Sequence, residues 1–339
     1  MTPLPGQSEL SAYARIKRAG RSAYEALPLV CAWAKDGRPD HVFRLDGGIG
    51  DEFLCSVLIH ELKCRGGGHI WMLTDHPDLF HLNPDVTLAV KKNTRGVNRF
   101  LERNHLTTIS LSYAPHINGR DIPPRRHIIT ALCERGGLSG RISKRPYLYL
   151  RPAERAWGVY GARQLAVQSS GLSAKYAALT KEWFPERLQQ VVDRFRPDFT
   201  IVQVGAARDP LLAGVVDLRG KTSLRETAAV LANSVLFLGL AGFLQHLARS
   251  VECRSVIIYG GRELPAQTGY TCNENVVNQP ECSPCWIYGR CDQNIKCMAA
   301  IGVEQVARAV ELQAGRFGQP LAVDFEECSV DEEREMAAQ

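Results

Sequence analysis

The stretch ECSPCWIYGRCDQNIKCM, residues 281–298, places Cys282, Cys285, Cys291 and Cys297 within sixteen positions, and Cys272 lies ten residues upstream. Gaps of two, five and five residues are short enough for four thiolates to converge on one tetrahedral metal ion. No His or carboxylate is needed to complete the set, which points to a structural ion rather than an open catalytic one. Unliganded or redox-labile thiols, and disulfides, are the other two readings, and spacing leaves all three open.

Glycine-rich turns carry a second kind of chemistry. In DGGIGD (46–51), Gly47, Gly48 and Gly50 let the chain turn sharply from a strand into a helix. Backbone N–H groups then approach a ligand at a helix N-terminus, where negative charge is favoured. Asp51 falls in the first turn of that helix, either as a cap or as a carboxylate at the cleft edge. The pattern is not GxGxxG and fits a dinucleotide fingerprint poorly. In KTSLRETAAVLA, Ser223 and Glu226 form a structural capping box, while Lys221 and Thr222 stand where a cation beside a helix start could hold a phosphate. FLGLAGFLQHLARS sets Gly239, Gly242 and His246 on a further strand-to-helix turn, suited to a diphosphate. A His at such a place is otherwise a surface or hydrogen-bonded residue.

Parallel sheets must stand behind these turns. HVFRL (41–45), the glycine turn, EFLCSVLIHELK (52–63) and HIWML (69–73) make a βαβ unit. Strands VTLAV (86–90), TTISL (107–111) and YLYL (147–150), with a helix over 127–135, extend it. Residues 165–185, including QSSGLSAKYAALTKEW, read as a linker. A second alternation follows: helix 186–195, strand 199–205, helix 223–233, strand 235–240, helix 242–250, strand 255–260 and a last helix over 302–314. The expected fold class is α/β, two Rossmann-like domains facing a central cleft that ligands enter at the strand C-termini. The expected divisions are an N-terminal helical extension (1–38), domains over 39–170 and 185–315, and an acidic tail (316–339). A basic stripe of Arg15, Lys17, Arg18 and Arg21 on the first helix is a solvated face or a membrane-surface contact.

A chain of 339 residues with 45% hydrophobic and 23% charged residues suits a soluble globular protein of two domains. The net charge of +5 is spread along the chain, which suits an anionic small ligand or an anionic membrane surface and is no nucleic-acid signature. No apolar run reaches the roughly 18–20 residues of a membrane span, and MTPLPGQSEL lacks a signal-peptide core. The expected location is the cytoplasm, where clustered thiols are ligands more often than disulfides. Cys31, Cys55, Cys64 and Cys133 then read as inert buried hydrophobes.

Taken in order, RLDGGIGDEFLCSVLIHELK, LTDHPDLFHLNPDV, VVDLRGKTSLRETAAVLANSVLFLGLAGFLQHLA and CSPCW with KCM resemble the glycosyltransferase family 9, or heptosyltransferase, family of GT-B fold, over roughly residues 40–312. The resemblance implies that Asp51 acts as general base on an acceptor hydroxyl, and that the first domain is the acceptor side. It also implies a nucleotide-sugar donor, ADP-linked, in the second domain near Gly205, Arg208, Lys221, Thr222, Gly239, Gly242 and His246. Two departures stand out. The acidic residue the family carries before the glycine is absent from Gly239-Leu240-Ala241-Gly242, and the family lysine is not evident in QVGAARDPLLAG, where Arg208 would substitute. A branch that glycosylates autotransporter proteins holds iron in a cysteine finger here, so the resemblance implies iron or zinc at the cysteines. The implied activity is transfer of a sugar, heptose from ADP-heptose, onto a cell-surface glycan such as lipopolysaccharide core. The alternatives are a protein acceptor and a silent module that binds nucleotide or glycan. Peripheral inner-membrane contact and a homo-oligomer complete the expectations.

Overall fold

The structure, a computed structural model, describes residues 7–111, 116–117, 120–121 and 123–329. The first unit runs α1 (Gln7–Asp36), β1 (His41–Leu45), α2 (Ile49–Cys64), β2 (Ile70–Thr74), β3 (Leu88–Lys91), α3 (Arg95–Arg103), β4 (Ile109–Leu111), β5 (His116–Ile117), β6 (Arg120–Asp121), α4 (Ile128–Arg135) and β7 (Gly140–Ser143). The second runs α5 (Pro152–Ala156), β8 (Gln164–Val167), α6 (Pro185–Phe195), β9 (Thr200–Gln203), β10 (Val216–Asp217), α7 (Leu224–Ala232), β11 (Leu236–Leu240), α8 (Phe243–Ser250), β12 (Ser255–Tyr259), α9 (Pro265–Thr268), β13 (Glu274–Val277), α10 (Lys296–Ala299) and α11 (Val303–Gly315). A closing strand, β14 (Phe325–Cys328), returns to pair antiparallel with β7.

The first sheet is parallel with order β3-β2-β1-β4, and the second is parallel with order β10-β9-β8-β11-β12-β13. Each sheet therefore has a switch point, beside β1 in the first and between β8 and β11 in the second. Crevices at strand C-termini open at such points. The chemistry of the turns thus follows from strand order.

One apolar core joins the units. Phe43, Phe53, Leu58 and Ile129 of the first pack in the same cluster as Phe237, Leu244, Leu247 and Tyr259 of the second. At the seam the rings of Phe53 and Phe243 meet edge to face at 5.9 Å, and the Gly50 backbone comes so close to Phe243 that an added Cβ would sit 3.6 Å from its Cα. The C-terminal half of α1 packs with α3 against the outer face of the first sheet, burying Leu29 and Ala32 with Val42, Trp71 and Leu73. Lys17 is exposed, and Arg21 pairs with Glu25 at 3.1 Å; the side chains of Arg15 and Arg18 lie outside the described residues.

Four expectations need correction. Gln164–Val167, within the stretch read as the end of the first domain and a linker, is the central strand β8 of the second sheet, and all four residues are buried. Its signal is short and opens on a polar residue. Gln164 is buried because its amide bonds Gly158 O, Val230 O, Ser234 Oγ and Tyr160 N. The expected strand YLYL joins no sheet: it runs beside α2, where Tyr147 N donates to Ser56 Oγ and the Tyr147 ring lies 3.9 Å from that of His60. Part of the expected acidic tail is β14, while residues 330–339 lie outside the described residues. Of the scattered thiols, Cys55 and Cys133 are buried as expected, but Cys31 and Cys64 are exposed.

Candidate active site

Asp51 occupies the third position of α2, and its Oδ2 accepts the Gly48 N–H at 2.8 Å. It therefore caps its own turn, and it also lines a cavity of about 350 Å³ between the units. Beneath it lies a buried polar knot. Glu52, 1% exposed, accepts from Thr74 Oγ1, Asp75 N and the Lys92 ammonium, and Lys92 also donates to Leu45 O. Lys92 stands 3.3 Å from Asp75 and 3.5 Å from Asp46. Burial alone lowers the Lys92 ammonium, and its bonds to Glu52 and Asp75 more than offset this, raising it above an ordinary lysine.

Across the cavity the turn after β11 contributes Gly242, Phe243 and His246. Gly242 is the N-cap of α8 with no side chain to satisfy the orphan N–H groups, and an added Cβ there would touch nothing within 4 Å. His246 is buried, shares a hydrogen bond of 2.7 Å with the Tyr270 hydroxyl, and is pushed down to about 3 by burial. It therefore faces the cavity as a neutral ring.

The positive charge comes from elsewhere. Lys181 lines this cavity and an adjoining one of about 420 Å³, and its ammonium bonds Glu263 at 2.8 Å. Glu263 also accepts from Arg262 at 3.1 Å and Thr268 at 3.3 Å. Burial raises the Glu263 carboxyl, but Lys181 and Arg262 overcome this and hold it below the ordinary carboxylate range. The second cavity sits at the β8/β11 switch point and is lined by Gly205, Asp209, Thr222, Leu240 and Ala241 among others. Gly205 has φ +134° there, and Ala206 N donates to Asp209 at 2.8 Å.

The structure thus gathers Asp51, Gly48, Gly50, Gly242 and His246 around one cavity, and Gly205, Thr222 and Gly242 around its neighbour. Arg208 is exposed and lines a third recess of about 810 Å³, on the outer side of Asp209. Two expected residues fall outside. Lys221 points its ammonium at Asp217, 3.0 Å from the carboxylate and 2.8 Å from the carbonyl, and lines none of these cavities. Gly239 lies inside β11, where an added Cβ would be 2.2 Å from the Phe237 ring, so it is a packing glycine. Sequence reasoning missed Lys181, Arg262, Glu263, Asp75 and Lys92. Lys181 was legible in principle, as a lysine just before a Pro-initiated helix, once QLAV is recognised as a strand.

Cys282, Cys285, Cys291 and Cys297 line one recess of about 330 Å³. Cys272 does not: its Sγ lies against Asn273 at 3.7 Å, and its carbonyl accepts from Gln313 of α11. Burial raises the Cys297 thiol, and Cys285 and Cys291 beside it add to this. In type four thiols suit iron or zinc, but among the described residues no three donors stand in a ligating arrangement. All eleven cysteines are free. No helix is long and apolar enough to cross a membrane among the described residues.

Residues 202–296 match the model of glycosyltransferase family 9 (heptosyltransferase), a family of glycosyltransferases. No curated protein sequence matches the chain. The GT-B fold of the heptosyltransferases extends over most of the chain. The iron-containing dodecameric glycosyltransferase TibC of enterotoxigenic E. coli H10407 superimposes with a TM-score of 0.63 at 17% identity, over 81% of this chain and 76% of TibC. TibC in complex with ADP-D-beta-D-heptose gives 0.61 at 15% identity, over 83% and 77%. E. coli ADP-heptose lipopolysaccharide heptosyltransferase II gives 0.62 at 13%, over 81% and 99%.

Proposed function

We propose that the protein is a cytoplasmic, inverting glycosyltransferase that moves heptose from ADP-heptose onto a cell-surface glycan such as lipopolysaccharide core. The observation that carries this reading is one cavity with a carboxylate, Asp51, on one wall, and on the other a helix N-terminus at Gly242 beside the Lys181 ammonium. In the proposed reaction Asp51 takes the proton of the attacking hydroxyl, which makes the oxygen a better nucleophile toward the anomeric carbon. The leaving diphosphate gathers charge at the α8 N–H groups and Lys181, both in place before the reaction. Neutral His246 adds polarity without drawing the diphosphate away from them. The nucleoside would occupy the switch-point cavity beside Gly205 and Thr222, with Arg208 at its outer rim. The likeness to TibC bound to ADP-D-beta-D-heptose supports the choice of donor.

Cys282, Cys285, Cys291 and Cys297 would hold a structural iron or zinc ion, which would cross-link the loop that carries Trp286 and Tyr288. Metal content of protein purified without chelator tests this, and a value near zero overturns it. The four-thiol recess and the likeness to iron-containing TibC favour a second reading, a protein acceptor such as an autotransporter, together with assembly into a homo-oligomer. Recovery of heptose on a co-expressed protein rather than on glycan would select that reading. ADP release from ADP-heptose with a bacterial glycan extract tests the whole proposal. Binding without release would leave a silent module that holds nucleotide or glycan.

A further inference from the structure

The cations of the second wall stand against the loop that carries the thiols. Arg262 and Glu263 follow β12 and Lys181 precedes α6, and three chain segments meet behind them. Gly260 lies so close to Thr180 that an added Cβ would collide with the Thr180 carbonyl, and at Gly261 it would stand 3.2 Å from Cys297 Sγ. The residues that follow Thr180 and Gly261 are Lys181 and Arg262, and both line the active-site cavity. Thr180 and Gly261 themselves line the recess of the four thiols, which is therefore the back of the cation wall.

The thiol loop is joined to this wall residue by residue. Cys285 N donates to Gly261 O at 2.8 Å, and Trp286 N donates to Arg262 O at 3.0 Å. Trp286 is fully buried with φ +49°, a left-handed backbone that a bulky residue keeps only where its surroundings impose it. Its indole N–H donates to Gln267 Oε1 at 3.1 Å, and Gln267 also accepts from Leu264 N and donates to Pro124 O of the first unit. The Arg262 guanidinium lies 4.8 Å from the centre of the Trp286 ring and 4.2 Å from that of Tyr288, a cation–π contact with each. Arg262 in turn shares the Glu263 carboxylate with Lys181. A continuous chain of contacts thus runs from the thiol loop to the cavity.

The charge in that chain fits the anionic part of a donor. Glu263 offsets one of its two cations, which leaves the group net positive. Arg262 is only 3% exposed, so its attraction for an anion is weakly screened. A guanidinium held by ring faces still presents its N–H groups in its own plane, where phosphate oxygens are bonded.

We propose that Arg262 binds the donor diphosphate together with Lys181, and that Trp286 and Tyr288 are positioning residues that hold its guanidinium for that task. The cysteine loop is then part of the donor site. This rests on the glycosyltransferase reading and assigns residues within it.

The test titrates the full chain with ADP and with adenosine, which lacks the diphosphate, and measures donor KM and kcat with ADP-heptose and a bacterial glycan extract. Arg262→Gln should weaken ADP binding about tenfold to a hundredfold and leave adenosine binding within about twofold. Tyr288→Leu, at a half-buried position, should weaken ADP binding about threefold to thirtyfold and raise donor KM more than it lowers kcat, again sparing adenosine. Tyr288→Phe keeps the ring and should restore binding. Trp286→Leu and Trp286→Phe should repeat this loss and recovery. Added to Arg262→Gln, Tyr288→Leu should cost less than about a further twofold, because the ring acts through the guanidinium. Unchanged ADP affinity in Arg262→Gln, equal losses for ADP and adenosine in the ring variants, or full additivity in the double variant would overturn the assignment. ADP binding that depends on Arg262 and Tyr288, without any transfer from ADP-heptose by the wild type, would keep it and overturn the transferase reading.

Discussion

Gly47–Asp51 after β1 and the segment from the end of β11 to His246 occupy corresponding places in their sheets, each at a switch point and each opening a helix. The first turn keeps a carboxylate, Asp51, which both caps its helix and faces the cavity. The second keeps no ionised side chain: Leu240 and Ala241 are buried, and His246 is neutral. In the proposed reaction these two glycine turns of the same topology divide the work. One would offer a proton acceptor, and the other would offer bare helix N–H groups, with charge supplied from the chain segments at Lys181 and Arg262. A strand-to-helix turn sets where chemistry happens, and the residues around it set which chemistry.

The strongest way to break this division is Asp51→Asn, which keeps the size of the side chain. Transfer should fall by about 10²–10⁴, with donor affinity retained by isothermal titration. On the other wall, Lys181→Met should weaken donor binding about tenfold to a hundredfold and also lower the melting temperature, because Glu263 loses one of its two cations inside the protein. Gly239→Ala separates packing from binding at the second turn. The clash with Phe237 should cost about 1–3 kcal/mol in denaturant titration while the folded fraction still binds donor.

Acid should expose the neutral ring. His246 and His127, the latter bonded to Gly269 O, are both pushed down to about 3 by burial, far below a free imidazole. The unfolded chain therefore binds these protons first. Stability is full above about pH 6.5 and falls as pH drops toward 3, by at most about 1.4 kcal/mol per pH unit for each ring. Urea midpoints between pH 7 and 4 measure this, and His246→Gln should remove one ring's share. The smallest effect belongs to Lys221→Ala. Its ammonium serves Asp217 on the surface, and donor KM should change by less than about twofold.

The sheets and their turns were legible because β1, α2, β11 and β12 carry clear apolar periodicity, and the Ser223–Glu226 box fixed the start of α7. Asp51 was legible from its place one turn into a helix after glycines. The second wall was not. Its lysine lies in a segment whose parent strand, Gln164–Val167, is four residues long and begins with a polar side chain satisfied in part by tertiary contacts, to Val230 and Ser234. Its carboxylate, Glu263, stands beyond β12, where no local pattern links it to Lys181. Lys221 misled for the converse reason: a cation beside a helix start is a phosphate ligand only when it faces the cleft, and Asp217 turns this one away. The four-thiol recess was readable from spacing, whereas the exclusion of Cys272 depends on the path of α11, which sequence does not show.

The most direct test is to incubate the wild-type chain and Asp51→Asn with ADP-heptose and a bacterial glycan extract, and to measure ADP release together with heptose incorporation. The account predicts coupled release and incorporation by the wild type and loss of both in the variant while it still binds ADP. Absence of turnover in the wild type, or near-normal turnover in Asp51→Asn, would contradict it.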